Sequence, residues 1–210
     1  FMHDISMTHP YTVFIFIISF MFYESLKYYT QVFMQAAQYP TMMERLNINE
    51  MIMRPLFNTM SFVAVLILMP MLTMRVFSEE KKTGTIELIL TSPVKDWHVI
   101  LGKFFAAFTL FAIMIGLTII YPLVLQLYGD PDWAPIWTGY IGLLLMGGSI
   151  ITIGLFVSSL TENQIIAGVV CFGVALFLWS LDFASSTISG QLGEVLGYLS
   201  VLRHYNTFEK

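Results

Sequence analysis

Stretches without a charged residue follow one another along most of the chain, separated by short polar segments. A membrane-spanning helix needs about 20 mostly apolar residues. The charge-free stretches that approach or exceed this length predict five spans, at residues 5–23, 55–74, 104–129, 133–161 and 163–181. We therefore expect an all-α fold, a polytopic membrane helical bundle that forms a single transmembrane domain over residues 1–210.

The distribution of basic residues predicts how the bundle is oriented. Loops rich in Lys and Arg stay on the cytoplasmic side of a membrane. Residues 75–103 contain half of the 10 Lys and Arg residues, whereas residues 129–133 contain none. The first segment is therefore predicted to be cytoplasmic and the second to face outward. By alternation, residues 24–54 form an outer loop, either irregular or with a short amphipathic helix, and residues 183–210 form an outer segment.

The chain begins with Phe1 and ends at Lys210, soon after the fifth predicted span. Six spans with both ends in the cytoplasm is the more ordinary arrangement. We therefore expect five spans of six to be present, with the chain truncated before the sixth.

Composition narrows the classes of function. Hydrophobic residues make up 57% of the chain and charged residues 11%, against about 25% charged residues in ordinary soluble domains. Too few charges remain to cover a soluble enzyme with a polar surface. The net charge of −4 argues against a nucleic-acid partner, because phosphates bind basic surfaces. The single cysteine, Cys171, excludes an internal disulfide framework, and the His residues share no metal-ligand spacing, so neither a catalytic nor a metal site is predicted.

The predicted cytoplasmic segment begins with a dense charge cluster in residues 75–82. Gly84 predicts a helix break, and Thr85 is expected to cap a short new helix. Three residues at helical spacing predict an apolar face on that helix: Ile86, Ile89 and Leu90. Ser92 and Pro93 predict the start of the next helix, as a cap and a first helical residue. A short helix in this place either docks a partner or rests on lipid.

The run of residues 75–94 resembles the signature that type-2 ABC exporter permeases have between their second and third spans. Its matching elements are the acidic pair at 79–80, Gly84-Thr85, Glu87 and Pro93-Val94. Three further stretches resemble the branch of these permeases associated with gliding motility and nitrous-oxide-reductase maturation: residues 73–75, 158–164 and 198–208.

The resemblance implies the permease subunit of an exporter in the bacterial cytoplasmic (inner) membrane. In that family a separate ATPase subunit drives alternating access and seats on a coupling helix. The resemblance and the apolar face place this interface on Glu79, Glu80, Lys81, Lys82, Thr83, Gly84, Thr85, Ile86, Glu87, Ile89, Leu90, Ser92 and Pro93. ATP and Mg²⁺ would bind the ATPase, so this chain is expected to bind no cofactor. Further expected partners are a second permease half, identical or different, membrane lipid and an accessory extracytoplasmic subunit.

Other classes of membrane protein fit less well. An intramembrane serine protease is disfavoured because Ser149 is followed by Ile150 rather than Gly. An aspartyl protease would need two Asp residues buried in the spans, and the spans contain none, with Asp182 directly after the fifth. A secondary transporter usually has ionisable groups at the membrane midplane, and the spans lack them. Residues 97–104 do not fit the phosphate-binding Gly-x4-Gly-Lys-Ser/Thr pattern. A non-transporting membrane anchor that recruits an ATPase stays open as the alternative.

A few residues within the spans predict local features. Pro70 and Pro122 each remove a helix hydrogen bond and are candidate gating kinks. The fourth span is rich in small residues, which favours close helix packing within the bundle. Thr161 with Gln164 predicts a capping box at the start of the fifth helix. Asp182 is expected to end the fifth span.

The orientation predicts which positions a membrane-impermeant thiol reagent reaches in intact cells. On a Cys171→Ala background, Lys82→Cys should be protected and Asp132→Cys should be labelled, because the two lie on opposite sides of the membrane. Labelling after permeabilisation is the control for reactivity. Labelling of Lys82→Cys alone in intact cells would overturn the orientation.

Overall fold

The computed structural model of the protein describes residues 2–37, 47–91 and 95–187. Of residues 2–11, 88–90, 128 and 181–187 it describes the backbone alone. The regular structure of these ranges is helical throughout, as the sequence predicted. The α-helices are α1 (Met2–Ala36), α2 (Arg54–Val63), α3 (Met69–Thr73), α4 (Ser78–Thr83), α5 (Thr85–Leu90), α6 (Asp96–Leu117), α7 (Ile120–Tyr128), α8 (Trp133–Leu160) and α9 (Gln164–Thr187). Two π-helical segments accompany them, π1 (Asn49–Met53) and π2 (Ala64–Leu68).

Three helical stretches among the described residues are long and apolar enough to cross a membrane: Asn49–Thr83, Asp96–Leu127 and Trp133–Leu160. A shorter apolar helix covers Gln164–Ser180. The fold is therefore an all-α bundle compatible with a membrane, while the count of five spans stays a prediction. Residues 188–210, which include most of the predicted outer segment, lie outside the described residues.

Helix α1 is longer than predicted, because it continues to Ala36 instead of giving way to a loop at Glu24. A charge ends an apolar stretch without ending a helix. Glu24 and Lys27 form an ion pair of 3.9 Å one turn apart along the helix, and the hydroxyl of Thr30 donates to the carbonyl of Leu26. Residues 24–36 of the predicted outer loop therefore belong to α1, and residues 38–46 of that loop lie outside the described residues.

The predicted third span is divided between α6 and α7. The two helices are separated at Thr118 and Ile119, just before Pro122. Pro122 has no N–H to donate to the carbonyl of Thr118, and the N–H of Tyr121 donates to it instead at 3.0 Å. The hydroxyl of Thr118 donates to the carbonyl of Ile115 at 2.6 Å and lies 3.2 Å from the hydroxyl of Tyr140 on α8.

Each π segment precedes a proline at the start of the next α-helix. π1 is followed by Pro55 near the start of α2, and π2 by Pro70 near the start of α3. A π turn widens the helix and shifts the hydrogen-bond pattern, so it accommodates a proline ring that would clash in a regular α-helix. Around Pro70 the second predicted span is thus a continuous helix with an altered turn.

Helix α8 lies at the centre of the bundle and packs against α3, α6 and α9. Side chains of the neighbouring helices pack directly on its backbone, which is possible because α8 has glycine at those positions. A Cβ at Gly147 would overlap the ring of Phe111, and one at Gly154 would overlap the side chain of Thr73. A Cβ at Gly139 would lie 3.0 Å from the ring of Phe57. These glycines of the fourth predicted span therefore serve packing within the chain.

Helix α9 starts at a different cap from the one predicted. The side-chain oxygen Oδ1 of Asn163 accepts from the N–H of Ile165 at 2.9 Å and of Ile166 at 3.4 Å. Thr161 is instead the C-terminal cap residue of α8. Its hydroxyl oxygen accepts a hydrogen bond from the N–H of Asn163, which lies before α9 begins. The predicted capping box of Thr161 and Gln164 is therefore wrong, because Asn at the cap position satisfies the same orphan donors. The backbone of α9 also continues through Asp182 to Thr187.

The glycine contacts predict a position-dependent loss of stability. Gly147→Ala and Gly154→Ala should each destabilise the bundle by about 1–3 kcal/mol, because overpacking forces neighbours apart. Gly173→Ala on α9 is the matched control, since a Cβ there meets no atom within 4 Å. Thermal unfolding of the purified protein in detergent measures the difference. Equal midpoints for all three variants would show that the α8 contacts are not tight.

Candidate functional site

The charged segment after α3 folds into two short helices joined at Gly84. Gly84 has φ of 74°, in the left-handed region that favours glycine, and ends α4. Helix α5 begins at Thr85 itself, so Thr85 is its first residue rather than its cap. The hydroxyl of Thr85 lies 2.9 Å from that of Thr83, which donates to the carbonyl of Glu79. The predicted break and the new helix are both present, and the hydroxyls hold the turn between them.

Helix α4 is capped by a residue of another helix. The residue before it, Phe77, has no side chain that accepts a hydrogen bond. Ser158, fully buried near the end of α8, supplies the acceptor: its hydroxyl oxygen accepts from the N–H of Phe77 at 3.1 Å and of Ser78 at 3.2 Å. The same hydroxyl donates to the carbonyl of Met74 at 3.2 Å. One serine of α8 therefore satisfies both sides of the break between α3 and α4.

Lys103 ties α6 to the same break. Its ammonium group donates to the carbonyl of Val76 at 2.7 Å and forms an ion pair with Glu80 on α4. It also lies 4.0 Å from the centre of the Phe77 ring, a cation–π contact. The Lys103 side chain is only 15% exposed and that of Glu80 29%. Glu80 thus has a partner within its own chain.

Lys81 fixes the other side of α4. Its ammonium group donates to the carbonyl of Ser159 at 2.5 Å, in the last turn of α8. The last carbonyls of a helix have no partner within it and mark the negative end of its dipole, so a lysine here is favourable. Helix α4 is therefore held by α6 through Glu80 and by α8 through Lys81.

The remaining described side chains of the segment are exposed or half-buried. The exposed set comprises Lys82, Thr83, Thr85 and Glu87, while Glu79 and Ile86 are half-buried. An open cleft of about 370 Å³ separates α4 from the turn before α9 and is lined by Lys82, Glu162, Asn163, Gln164 and Ile165. The outward surface of α4 and α5 thus continues across this cleft onto the turn.

Part of the predicted interface cannot be placed. The side chains of Ile89 and Leu90, and Ser92 and Pro93 as a whole, lie outside the described residues. The predicted helix start at Ser92 and Pro93 is nevertheless wrong for α6. Lys95 has an extended backbone, with ψ of 138°, so α6 begins after it, at Asp96.

The sequence pattern gives neither Ser158 nor Lys103 a structural role. Lys103 is one of five basic residues in 75–103, and Ser158 belongs to the stretch 158–164. A signal for Lys103 was available, since a lone lysine at the start of an apolar stretch needs a partner near the membrane. No comparable signal marked Ser158, because a serine in a small-residue helix is ordinary.

Fold and site together define a class of protein: a helical membrane bundle that presents a charged two-helix segment at one end. Residues 23–202 match the sequence model of a family described as "ABC-2 family transporter protein". The chain therefore belongs to the ABC-2 transporter family.

The chain is similar to the probable multidrug ABC transporter permease YbhR of Escherichia coli strain K12, with 25% identity over 135 residues. The same match is found with YbhR of Escherichia coli O157:H7. The alignment covers 63% of this chain and 36% of YbhR, so the chain spans little more than a third of these relatives. No solved structure matches the chain.

The contacts of Lys103 predict a measurable coupling with Glu80. Lys103→Met should destabilise the protein by about 1–3 kcal/mol, because the Glu80 carboxylate and the Val76 carbonyl both lose a buried donor. In a double-mutant cycle with Glu80→Gln, thermal unfolding should give an interaction energy of about 0.5–3 kcal/mol. Lys82→Met, an exposed lysine two residues from Glu80, should have little effect. Additive losses would contradict the pairing.

Proposed function

We propose that this chain is the membrane-spanning permease part of an ABC exporter, and that α4 and α5 receive the ATPase subunit. The observation that carries the proposal is the attachment of α4. Three side chains, Ser158, Lys103 and Lys81, tie it to α8 and α6, while its outer surface is charged and exposed. A helix that only rested on lipid would need its apolar face and no such ties.

The attachment supports a route for mechanical coupling. A push on α4 by the ATPase would move α6 through the pair of Lys103 and Glu80, and α8 through Ser158. Both helices run into the bundle, and α6 is interrupted before Pro122. The altered turn at π2, in the helical stretch that leads into α4, and the one at Thr118, where α6 ends, are places where the helices can bend with little loss of hydrogen bonding. We propose that they serve alternating access, with Pro70 and Pro122 as gating kinks.

The charged residues of α4 and α5 fall into two groups, those bonded within the chain and those free to contact the ATPase. Glu80 and Lys81 are engaged within the chain, so they position α4 instead of contacting the ATPase directly. Glu79, Lys82 and Glu87 are left to face the partner, where charges of both signs set register and exclude wrong partners. Glu162 extends this surface across the cleft. The apolar residues Ile86, Ile89 and Leu90 are proposed to enter a groove on the ATPase.

The wider assignment follows from the family and from the sequence resemblance. We place the chain in the bacterial cytoplasmic membrane as a multi-pass subunit that pairs with a second permease half. Residues 73–75 and 158–164 support the branch associated with gliding motility and nitrous-oxide-reductase maturation. The name of the relative YbhR and the apolar spans support an amphipathic cargo over a bare ion.

Docking predicts that outward charges matter for ATPase binding. Glu79→Lys with Glu87→Lys should weaken binding of the ATPase subunit by roughly 30-fold or more, as expected for interface charges worth about 2–5 kcal/mol. The measurements are co-purification and stimulated ATP turnover in nanodiscs. Glu24→Lys with Asp130→Lys changes the net charge equally but away from α4, and it should bind normally.

ATPase binding at the wild-type level by the Glu79→Lys and Glu87→Lys double variant would contradict the docking proposal. ATP-dependent movement of an amphipathic substrate in proteoliposomes separates the permease from an anchor that only recruits an ATPase. Binding without any ATP-dependent movement would favour the anchor.

A further inference from the structure

The third predicted span is built of two helices that have different neighbours. Helix α6 packs against α8, where Gly147 lies under the ring of Phe111 and Gly148 beside the ring of Phe108. Helix α7 has only sparse contacts with each of the other described elements, and its first turn contacts α1 through Tyr121. The two halves of one span therefore belong to different parts of the bundle.

Tyr121 joins α7 to α1 by two contacts. Its hydroxyl lies 2.8 Å from the hydroxyl of Ser19, and the centre of its ring lies 4.9 Å from that of Phe22. Ser19 is exposed at the surface of the bundle, within a stretch that is predicted to cross the membrane. Lipid tails offer no hydrogen-bond partner, so separating the two hydroxyls would leave both without one. We call the contact of Tyr121 with Ser19 the latch.

Thr118 holds the other side of the break on α8. Its buried hydroxyl donates to the carbonyl of Ile115 at 2.6 Å and lies 3.2 Å from the hydroxyl of Tyr140. The N–H groups of Thr118 and Ile119 donate to carbonyls three residues earlier, at 3.0 and 3.2 Å. Bonds of this spacing in the middle of a helical stretch often mark a hinge. The backbone between Thr118 and Tyr121 is thus a turn with an anchor on each side.

The break lies toward the predicted outer end of the bundle and has room to bend. Tyr140, the neighbour of Thr118, is about two helical turns after the start of α8 at Trp133. Gly116 occupies the last turn of α6, and a Cβ there would meet no atom within 4 Å. Helix α7 therefore forms the outer part of its span, beyond a turn that close packing does not surround.

We propose that α7 is an outer flap, which pivots at Thr118 and Ile119 relative to α6 and α8 while the latch keeps it on α1. The pivoting during transport rests on the function proposed above, whereas the attachment to α1 does not. Helix α7 has 9 residues, so it is about 13 Å long. A pivot of about 20°, the lower limit of a sharp helix kink, moves its far end by about 4–5 Å.

Distances between pairs of spin labels, measured by double electron–electron resonance, follow the flap. Cysteines for labelling replace three exposed residues on a Cys171→Ala background: Leu127 on α7, Phe16 on α1 and Leu145 on α8. The full chain is measured in nanodiscs with its ATPase subunit, without nucleotide and after trapping with ATP and vanadate. Trapping should change the distance between 127 and 145 by about 4–5 Å and leave the distance between 127 and 16 constant.

Two variants remove the latch with little change in bulk, Tyr121→Phe and Ser19→Ala. Without nucleotide or ATPase, each should broaden the distribution of distances between 127 and 16, because α7 loses its hydrogen bond to α1. Tyr23→Phe, which removes an exposed hydroxyl of α1, is the matched control and should leave the distribution unchanged. The distance between 16 and 145 does not involve α7, and a wild-type value in every variant shows that the bundle is folded.

The attachment and the pivot can be overturned separately. An unchanged distribution between 127 and 16 in both latch variants would overturn the attachment. With the ATPase bound, equal changes on trapping in the pairs 127–16 and 127–145, or no change in either pair, would overturn the pivot. Failure of the ATPase to bind would contradict the proposed function instead, and the latch variants, which are compared without the ATPase, would still decide the attachment.

Discussion

Every buried backbone group that a helix break releases needs a partner within the protein, because neither lipid nor a packed interior offers water to bond it. The break between α3 and α4 shows how this requirement shapes the molecule. The released groups of Met74, Phe77 and Ser78 are bonded by one hydroxyl of α8, that of Ser158. The carbonyl of Val76 is bonded by Lys103 of α6. The hydrogen bonds that permit the break also join three helices at one point.

Close packing is the second condition for that junction. Ser158 reaches the break only because α8 approaches α3 closely, and Gly154 permits this approach by leaving space for Thr73. About two helical turns from Gly154, Gly147 admits the ring of Phe111 on α6. Without a hydrophobic driving force between helices in lipid, such contacts are a main source of association. The glycines and the polar contacts of α8 therefore act together.

The two ends of the bundle differ in the chemistry they expose. Around α4, lysines bond helix carbonyls and a glutamate, and charges of both signs face outward. At the other end, Asn49 and the backbone of Asp132 join π1 to α8 beside a small cavity. The end at α4 is thus held together by charged and hydroxyl side chains, whereas at the opposite end a side-chain amide joins π1 to the residue before α8.

The sequence by itself determined the helical class, the extent of α8 and the break at Gly84. These depend on local properties: apolar length, the absence of charge, and the freedom of glycine to adopt a positive φ. Its predictions for the length of α1, the cap of α9 and the start of α6 were wrong. Charged, capping and proline residues occur both inside helices and at their ends, so they do not fix a helix boundary by themselves.

Only the tertiary structure decided the partners. The fold brings Lys103, which is distant in sequence, beside Glu80, so that the acid is paired within the chain. Ser158 caps α4 because α8 packs on α3. Interactions between residues far apart along the chain leave no periodic pattern in one sequence, so their identity emerges only when the helices pack.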